Sequence, residues 1–500
     1  MSGALLGVAF FPAPLGFVAW FALIPLLIEL DRRIREGARA RVLFRTGYVF
    51  GLAFYLTGTH WIALLSNVAM TTPWLKYPAW LLAGAYLALY AGLTTVIAGV
   101  IVKRLRVPFA WVFPVVALAV EALRASGEMG FPWFQPGYSQ HAYLPLIQMA
   151  ALGSVSLVTL WIYALNVCGW LAWRARRAPQ WIAVALLLAA PWLLGGIAVS
   201  RARIVPGPAV GLIQGCIPGE IKWAGGHEQE ILNTFLDLSA RAAADSLQPG
   251  ILIWPETATG SYLRKQLDQL LAVTEFSARH QVAIFSGTPD YILDAAGQPR
   301  YYNAGALFTA EGPYDSIYAK RHLVPFGERI PFQRLIPALG RLQFGQAEWT
   351  PGRSPVLFPG GGGRFGCLVC FESIFPELAR EDVQRGATWL VNVTNDEWFG
   401  LGAALYQHAA MAVFRAVENR VPIARCANTG LTQMIDPYGR VTAEAPVWKP
   451  SYIVARLAAP GKQTLYGALG DWPSTLALWA TLIAFAASLA RVLTERRRAE

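Results

Sequence analysis

Residues 364–377 read RFGCLVCFESIFPE and place Cys367 and Cys370 three positions apart, just ahead of Glu372 and Glu377. Such a pair could bind a metal, cycle between thiol and disulfide, or supply a single nucleophile. The run follows a glycine-rich turn, Gly360 to Gly363, and is apolar enough to be a strand, on which positions three apart face opposite sides. Three strand steps of about 3.3 Å separate their Cα atoms by roughly 10 Å. A disulfide needs less than about 7 Å. No second cysteine pair completes a zinc site, and the six histidines, at 60, 141, 227, 280, 322 and 408, lack ligand spacing, so neither a structural nor a catalytic metal nor any cofactor is expected. Cys370 is then left as the exposed thiol at the end of its strand, with Cys367 packed as a small apolar residue. A lone thiol nucleophile needs a base or a cation beside it, and donors for the oxyanion its attack creates. Two segments can provide them. LIWPET ends a buried strand on Glu256, a carboxylate costly to bury without a partner, and YAKRHLVPFGERIPF carries Lys320 with Glu328 eight residues on. Taken singly, each of these is more often structural than catalytic.

Groups at strand ends need a layered domain to hold them, and residues 205–465 have that pattern. β-like runs at 209–217, 250–256, 281–287, 364–370, 388–396 and 421–428 alternate with helical patterns at 231–245, 267–280 and 403–420, as in α/β domains. The runs ending in WPE, CFE and TND read as buried strands with polar C-terminal ends, the edge where open α/β sheets build sites.

The remainder reads as membrane. Of 500 residues, 55% are hydrophobic and 19 are tryptophan, above the ~45–50% apolar content of soluble domains, and the excess sits in 3–199 and 472–490. Spanning helices, which need about 20 apolar residues, are predicted at 44–66, 77–102, 107–125, 153–173, 180–199 and 472–490. The run 3–30 is split by Pro12 and Pro14 into a short helix and a full one over 15–30. Basic residues cluster at every second loop: Arg32, Arg33, Arg35, Arg39 and Arg41; Lys103, Arg104 and Arg106; Arg174, Arg176 and Arg177; and Arg496 to Arg498. The alternate loops 67–76 and 127–152 hold only Lys76. Because short cytoplasmic loops collect such charges, residues 1–200 are predicted to form about seven membrane segments, 205–465 an extracytoplasmic domain, 472–490 a final helix and 491–500 a basic cytoplasmic tail. The net charge of +11 is then a topology signal rather than a nucleic-acid surface. The N-terminus shows no cleavable signal-peptide pattern.

WPE with Glu256, KRHLVPFGE with Lys320 and Glu328, and CFE with Cys370 resemble, in order and approximate spacing, the Glu-Lys-Cys triad of the nitrilase, or carbon–nitrogen hydrolase, superfamily. That resemblance implies an αββα sandwich with Glu256 as general base, Lys320 stabilising the tetrahedral intermediate and Cys370 forming a thioester. GFPWFQPGYSQ (130–140), IQGCIPGEIKW (213–223), TNDEWFG (394–400) and the apolar flanks are similar to the apolipoprotein N-acyltransferase family, over essentially the whole chain. The resemblance implies a bacterial inner-membrane enzyme, monomeric, with its catalytic domain in the periplasm. Its acyl donor would be a phospholipid such as phosphatidylethanolamine, and its acceptor the α-amine of an apolipoprotein's N-terminal diacylglyceryl-cysteine. The two would react in turn through a thioester on Cys370. Carried over residue by residue, Glu328 holds Lys320, Glu372 gives similar support, the Phe371 N–H is an oxyanion donor, and Trp223, Asn395, Trp398 and Phe399 contact substrate. Phe371 departs from the tyrosine frequent at that position, Cys367 is an additional thiol, and the first membrane segment is short.

Apolar stretches at 328–344 and 397–406 fit lids or membrane-dipping loops, and Glu121 and Arg124 fit a pair or a headgroup contact. Two other functions compete: a membrane-tethered amidase or nitrilase acting on a small C–N substrate, and a non-catalytic lipid-binding or transport scaffold. One helix would suffice as a tether, which argues against the first, and the intact Glu256, Lys320 and Cys370 argue against the second.

Overall fold

The computed structural model of the chain describes residues 1–67, 72–333, 335, 336 and 349–499, with 496–499 described for their backbone. Two compact units emerge: Met1–Leu64 with Trp74–Arg201 and Ala468–Glu500, and Leu65–Pro73 with Ala202–Gly467.

The first unit is helical. Ser2–Val8 is a short helix that ends ahead of Pro12 and Pro14. The full helix expected over 15–30 does not form: Gly16–Trp20 is a 3-10 stretch, and α-helix runs only from Ile24 to Arg35. Pro25 sets that boundary, because proline fits the first turn of a helix and breaks its interior. The end of this helix pairs Arg32, Arg33 and Arg35 with Glu29, Asp31 and Glu36. Longer helices follow at Ala40–Gly58, Lys76–Leu105, Phe109–Arg124, Ala150–Ala175, Ala178–Ser200 and Trp472–Ala499. Among the described residues four stretches are long and apolar enough to cross a membrane: Pro73–Leu105, Ala150–Ala175, Ala178–Ser200 and Trp472–Glu495. Small residues bring these helices together, as is usual where no hydrophobic force separates helix from lipid. A Cβ on Gly51 would stand 2.7 Å from that of Ala91, and the Thr95 hydroxyl donates across to the Leu43 carbonyl at 2.8 Å. Glu121 and Arg124 pair with each other, and the buried Arg124 also donates to the Phe131 carbonyl, tying its helix to the turn that follows.

The second unit is a four-layer α-β-β-α sandwich. Its strands are β1 (Pro206–Gln214), β2 (Ile251–Trp254), β3 (Ala283–Leu293), β4 (Pro299–Thr309), β5 (Gly312–Pro313), β6 (Tyr318–Ala319), β7 (Phe358–Gly360), β8 (Gly363–Val369), β9 (Trp389–Thr394), β10 (Ile423–Ala427), β11 (Gln433–Ile435), β12 (Val441–Glu444) and β13 (Ser451–Ala458). One sheet runs β13-β1-β2-β3-β4-β5, with β6 also paired to β4; the other runs β12-β11-β10-β9-β8-β7. Each has a parallel centre, β1-β2-β3 and β8-β9-β10. Strand alternation sorts the side chains into layers. Ile251 and Ile253 of β2 enter the inter-sheet core with Phe365, Cys367, Val369, Val391 and Val393, whereas Leu252 and Trp254 face the helices Glu228–Ala243 and Leu267–His280. The helices Pro376–Gln384 and Ala403–Asn419 cover β8 and β10 of the second sheet. Because the central strands are covered on both faces they read as continuous apolar runs, which is why they were visible in sequence.

Phe365 joins the two sheets: its ring meets Phe285 edge-on at 5.1 Å and Trp389 at 4.6 Å. Phe365→Ala should cost about 3–5 kcal/mol and lower the thermal midpoint of this domain by roughly 10 °C. Val441→Ala, on an exposed edge strand, should leave the midpoint in place in the same thermal scan.

Candidate active site

β2 delivers Glu256 two residues beyond its last buried side chain, Trp254. The chain turns closely there against β3: a Cβ on Gly287 would lie 2.6 Å from both the Glu256 Cα and the Pro255 carbonyl, so only glycine lets the strand pass. Buried Glu256 accepts the Asn303 side-chain amide on Oε1 at 2.8 Å and the Asn395 backbone N–H on Oε2 at 2.9 Å.

Lys320, just past β6, is 1% exposed. Its Nζ lies 2.9 Å from the Glu328 carboxylate and 3.5 Å from Glu256 Oε1. Burial alone would lower this amine, but Glu328 and then Glu256 outweigh it and hold it well above the usual lysine value. Lys320 is therefore a fixed ammonium. Glu328 is steadied in turn by the Val324 N–H at 2.8 Å and by the same Asn303 amide at 3.0 Å, so one asparagine spans both carboxylates.

Cys370 was expected as the last residue of its strand. The strand ends at Val369, and Cys370 opens the 3-10 turn Cys370–Ile374 with a left-handed φ of +51°. The cause is Glu372, whose carboxylate reaches back to the Val369 N–H at 2.8 Å and closes the turn. Opposite-face alternation consequently describes Cys367, buried in the inter-sheet core, but not Cys370; all five cysteines are free thiols. Burial pushes the Cys370 thiol up and the Glu256 carboxylate adds to this, while Lys320 and a hydrogen bond to Thr394 pull it down; the net shift is upward. Cys370 therefore rests as a thiol, and any reaction through its sulfur has to remove that proton.

Glu372 is fully buried and accepts four hydrogen bonds: from Val369 N–H, the Tyr318 hydroxyl at 2.8 Å, the Arg321 N–H at 2.6 Å and the His322 N–H at 3.1 Å. It touches the chain beside Lys320, not the amine. Phe371 is buried with its ring edge-on to Phe375 at 5.3 Å. Asn395 meets Glu256 through its backbone, and its side-chain oxygen accepts from Asn428. Trp223 is exposed, and Trp398 and Phe399 are half-buried in the turn Asp396–Phe399. Of the stretch 328–344, residues 334 and 337–344 lie outside the described residues; Phe332, Leu335 and Ile336 are exposed, as is Leu401 in the other apolar stretch.

Three features escaped sequence reading. Asn303 sits mid-strand on β4, its polarity the only signal. Lys222 is buried, and the charges of Glu397 and Glu256 act on its amine. Beneath Cys370, His408 Nε2 lies 3.0 Å from the Cys370 carbonyl and Nδ1 3.0 Å from Asp396, which also accepts from Arg425 at 2.8 Å. Burial would raise Asp396, but Arg425 and His408 override it and keep it ionised far below the carboxylate range. Among the described residues, no group of three or more His, Cys, Asp or Glu is placed to hold a metal ion.

A carboxylate, an ammonium and a thiol gathered at the strand ends of a two-sheet sandwich define the catalytic domain of a carbon–nitrogen hydrolase, and residues 210–463 match the family described as carbon-nitrogen hydrolase. Residues 2–168 match the apolipoprotein N-acyltransferase N-terminal domain. Proteins named apolipoprotein N-acyltransferase are similar throughout: that of Geobacter metallireducens is 34% identical over 94% of this chain and 91% of its own, that of Chlorobaculum tepidum 31% over 94% and 92%, and that of Pseudomonas putida 32% over 94% of each. The chain belongs to the apolipoprotein N-acyltransferase family, and is an acyltransferase.

The electrostatics are open to direct measurement through the pH dependence of Cys370 alkylation by iodoacetamide. Glu256→Gln removes the charge that pushes the thiol up and should move the labelling midpoint to lower pH. Lys320→Met should move it to higher pH. Midpoints that coincide with that of the unaltered protein would mean that neither charge acts on the thiol.

Proposed function

We propose that the protein transfers a fatty acyl group from a phospholipid, phosphatidylethanolamine being the expected donor, to the α-amine of the N-terminal diacylglyceryl-cysteine of apolipoproteins. The carrying observation is the buried Glu256–Lys320 contact at 3.5 Å acting on the Cys370 thiol, in a chain whose relatives are named apolipoprotein N-acyltransferase.

In this reading Glu256 takes the Cys370 proton as sulfur attacks the ester carbonyl. Lys320, kept charged by Glu328, faces the oxyanion with the Phe371 N–H. Glu256 then returns the proton to the departing lysophospholipid oxygen, and the acyl group rests on Cys370 as a thioester. A thioester conserves the activation of the ester it replaces, so donor and acceptor can visit in turn. Glu372 fixes the relative position of the Cys370 turn and the Lys320 segment, and Trp223, Asn395, Trp398 and Phe399 line the approach. A monomer is the expected form. In this reading the catalytic domain lies on the periplasmic face of the bacterial inner membrane, a topology that the alternating arginine clusters support.

Intact-mass analysis after incubation with phosphatidylethanolamine, without an acceptor, tests it. A fatty-acyl increment released by hydroxylamine should form in the unaltered protein and in Cys367→Ala, and be absent in Cys370→Ala. Glu256→Gln should slow its formation by roughly 10²–10⁴-fold. No increment in the unaltered protein would refute the phospholipid half-reaction.

A further inference from the structure

Lys222 ends the short helix Gly219–Lys222 after β1. It is 4% exposed, and its Nζ is buried with no hydrogen-bond partner. Its stem is clamped: Gly260, at φ +70° on the loop that carries Glu256, packs against it so closely that a Cβ there would stand 2.7 Å from Lys222 Cγ. The carboxylates acting on the amine are Glu397 and, less strongly, Glu256. Both are anchored nearby. Glu397 accepts the Gly219 N–H at 2.8 Å, and Glu256 accepts the N–H of Asn395, two residues before Glu397. Lys320 shows what a paired lysine looks like in this domain, with a carboxylate at 2.9 Å; Lys222 has no such contact. Burial draws its amine down to about 8 against the pull of both carboxylates, so the free base is within reach near neutrality. A buried amine without a partner weakens the fold, and one held beside the proposed base invites a partner that comes with the substrate.

The two half-reactions of the proposed function, on which this inference rests, differ by one proton. In the first, the thiol proton passes through Glu256 to the leaving lysophospholipid oxygen, and Glu256 ends as a carboxylate. In the second, the acceptor arrives as an ammonium and must lose one proton before its lone pair can attack the thioester carbonyl. It loses another as the C–N bond forms and the C–S bond breaks, and this one travels through Glu256 to the Cys370 sulfur, restoring the thiol. Glu256 must stay free for that second proton, so the first needs another acceptor. We propose that Lys222 Nζ, as the free amine, takes the first proton from the acceptor's ammonium and later releases it to water. Lys222 is then a catalytic residue of the second half-reaction alone.

The full-length protein, loaded from phosphatidylethanolamine and then given a synthetic diacylglyceryl-cysteine peptide, separates the two steps in single turnover. Lys222→Met should still form the acyl-enzyme but transfer to the peptide roughly tenfold more slowly at neutral pH, where about a tenth of such an α-amine is free base without help. The deficit should close towards high pH, where an α-amine of pKa about 8 is already deprotonated. Hydroxylamine, a neutral nucleophile, should discharge both proteins alike. Lys222→Arg, which keeps the charge but cannot shed a proton, should acylate and fail to transfer. Undiminished transfer in Lys222→Met, a deficit equal at every pH, or transfer restored by Lys222→Arg would each overturn the proposal. If Lys222→Met does not acylate, Lys222→Arg decides by the same criterion, and loss of acylation in both would assign Lys222 to the first step or the fold and overturn it. Absence of acyl-enzyme in the unaltered protein would instead count against the reading beneath it.

Discussion

A buried carboxylate has to be surrounded by donors, and Glu372 is surrounded by four. Two of them, the Arg321 and His322 N–H groups, belong to the segment that carries Lys320; one, the Val369 N–H, belongs to the strand that ends at Cys370; the fourth is the Tyr318 hydroxyl. Lys320 follows a strand of one sheet and Cys370 a strand of the other. Glu372 is thus the place where the two sheets are locked together at their active end. It also bends the chain into the left-handed turn that lifts Cys370 off the strand. Removing it would leave buried N–H groups unsatisfied on both sides, each at a cost of about 1–3 kcal/mol.

Around that lock the charges are graded by pairing. Lys320 lies between Glu328 and Glu256 and stays an ammonium. Asp396 is held ionised by Arg425 and His408, and through His408 its charge reaches the carbonyl of Cys370. Lys222 has carboxylates near it but none in hydrogen-bond contact, and its amine is drawn down accordingly. Two buried lysines in one domain therefore have different protonation behaviour for one reason, the presence or absence of a carboxylate within about 3 Å. The helical unit follows the same logic at its own scale, where the buried Arg124 is received by Glu121 and the Phe131 carbonyl.

Chemical identity and order were legible along the chain. The apolar runs that became β1, β2, β3, β8, β9 and β10 announced themselves because each is buried on both faces, and the polar residues just after them, Glu256, Cys370 and Asn395, marked the edge where the candidate site lies. The helices Leu267–His280 and Ala403–Asn419 matched their sequence patterns for the same reason of periodic burial. The 15–30 segment was misread because hydropathy counts apolar residues and takes little note of where Pro25 allows a helix to begin.

Partnership was not legible. Asn303 lies 47 residues from Glu256 in sequence and joins it to Glu328; His408 lies 38 residues from Cys370 and supports its carbonyl; Lys222 reaches the neighbourhood of Glu256 only because Gly260 lacks a side chain. A hydrogen bond or an ion pair depends on a few ångströms of separation, and those distances arise from sheet register, turn geometry and packing between segments far apart in the chain. By itself the amino-acid sequence determined which groups could act and in which layers they would be carried, since burial and periodicity are local. Tertiary structure alone decided which carboxylate holds which amine, and so which lysine is a permanent charge and which is free to exchange a proton.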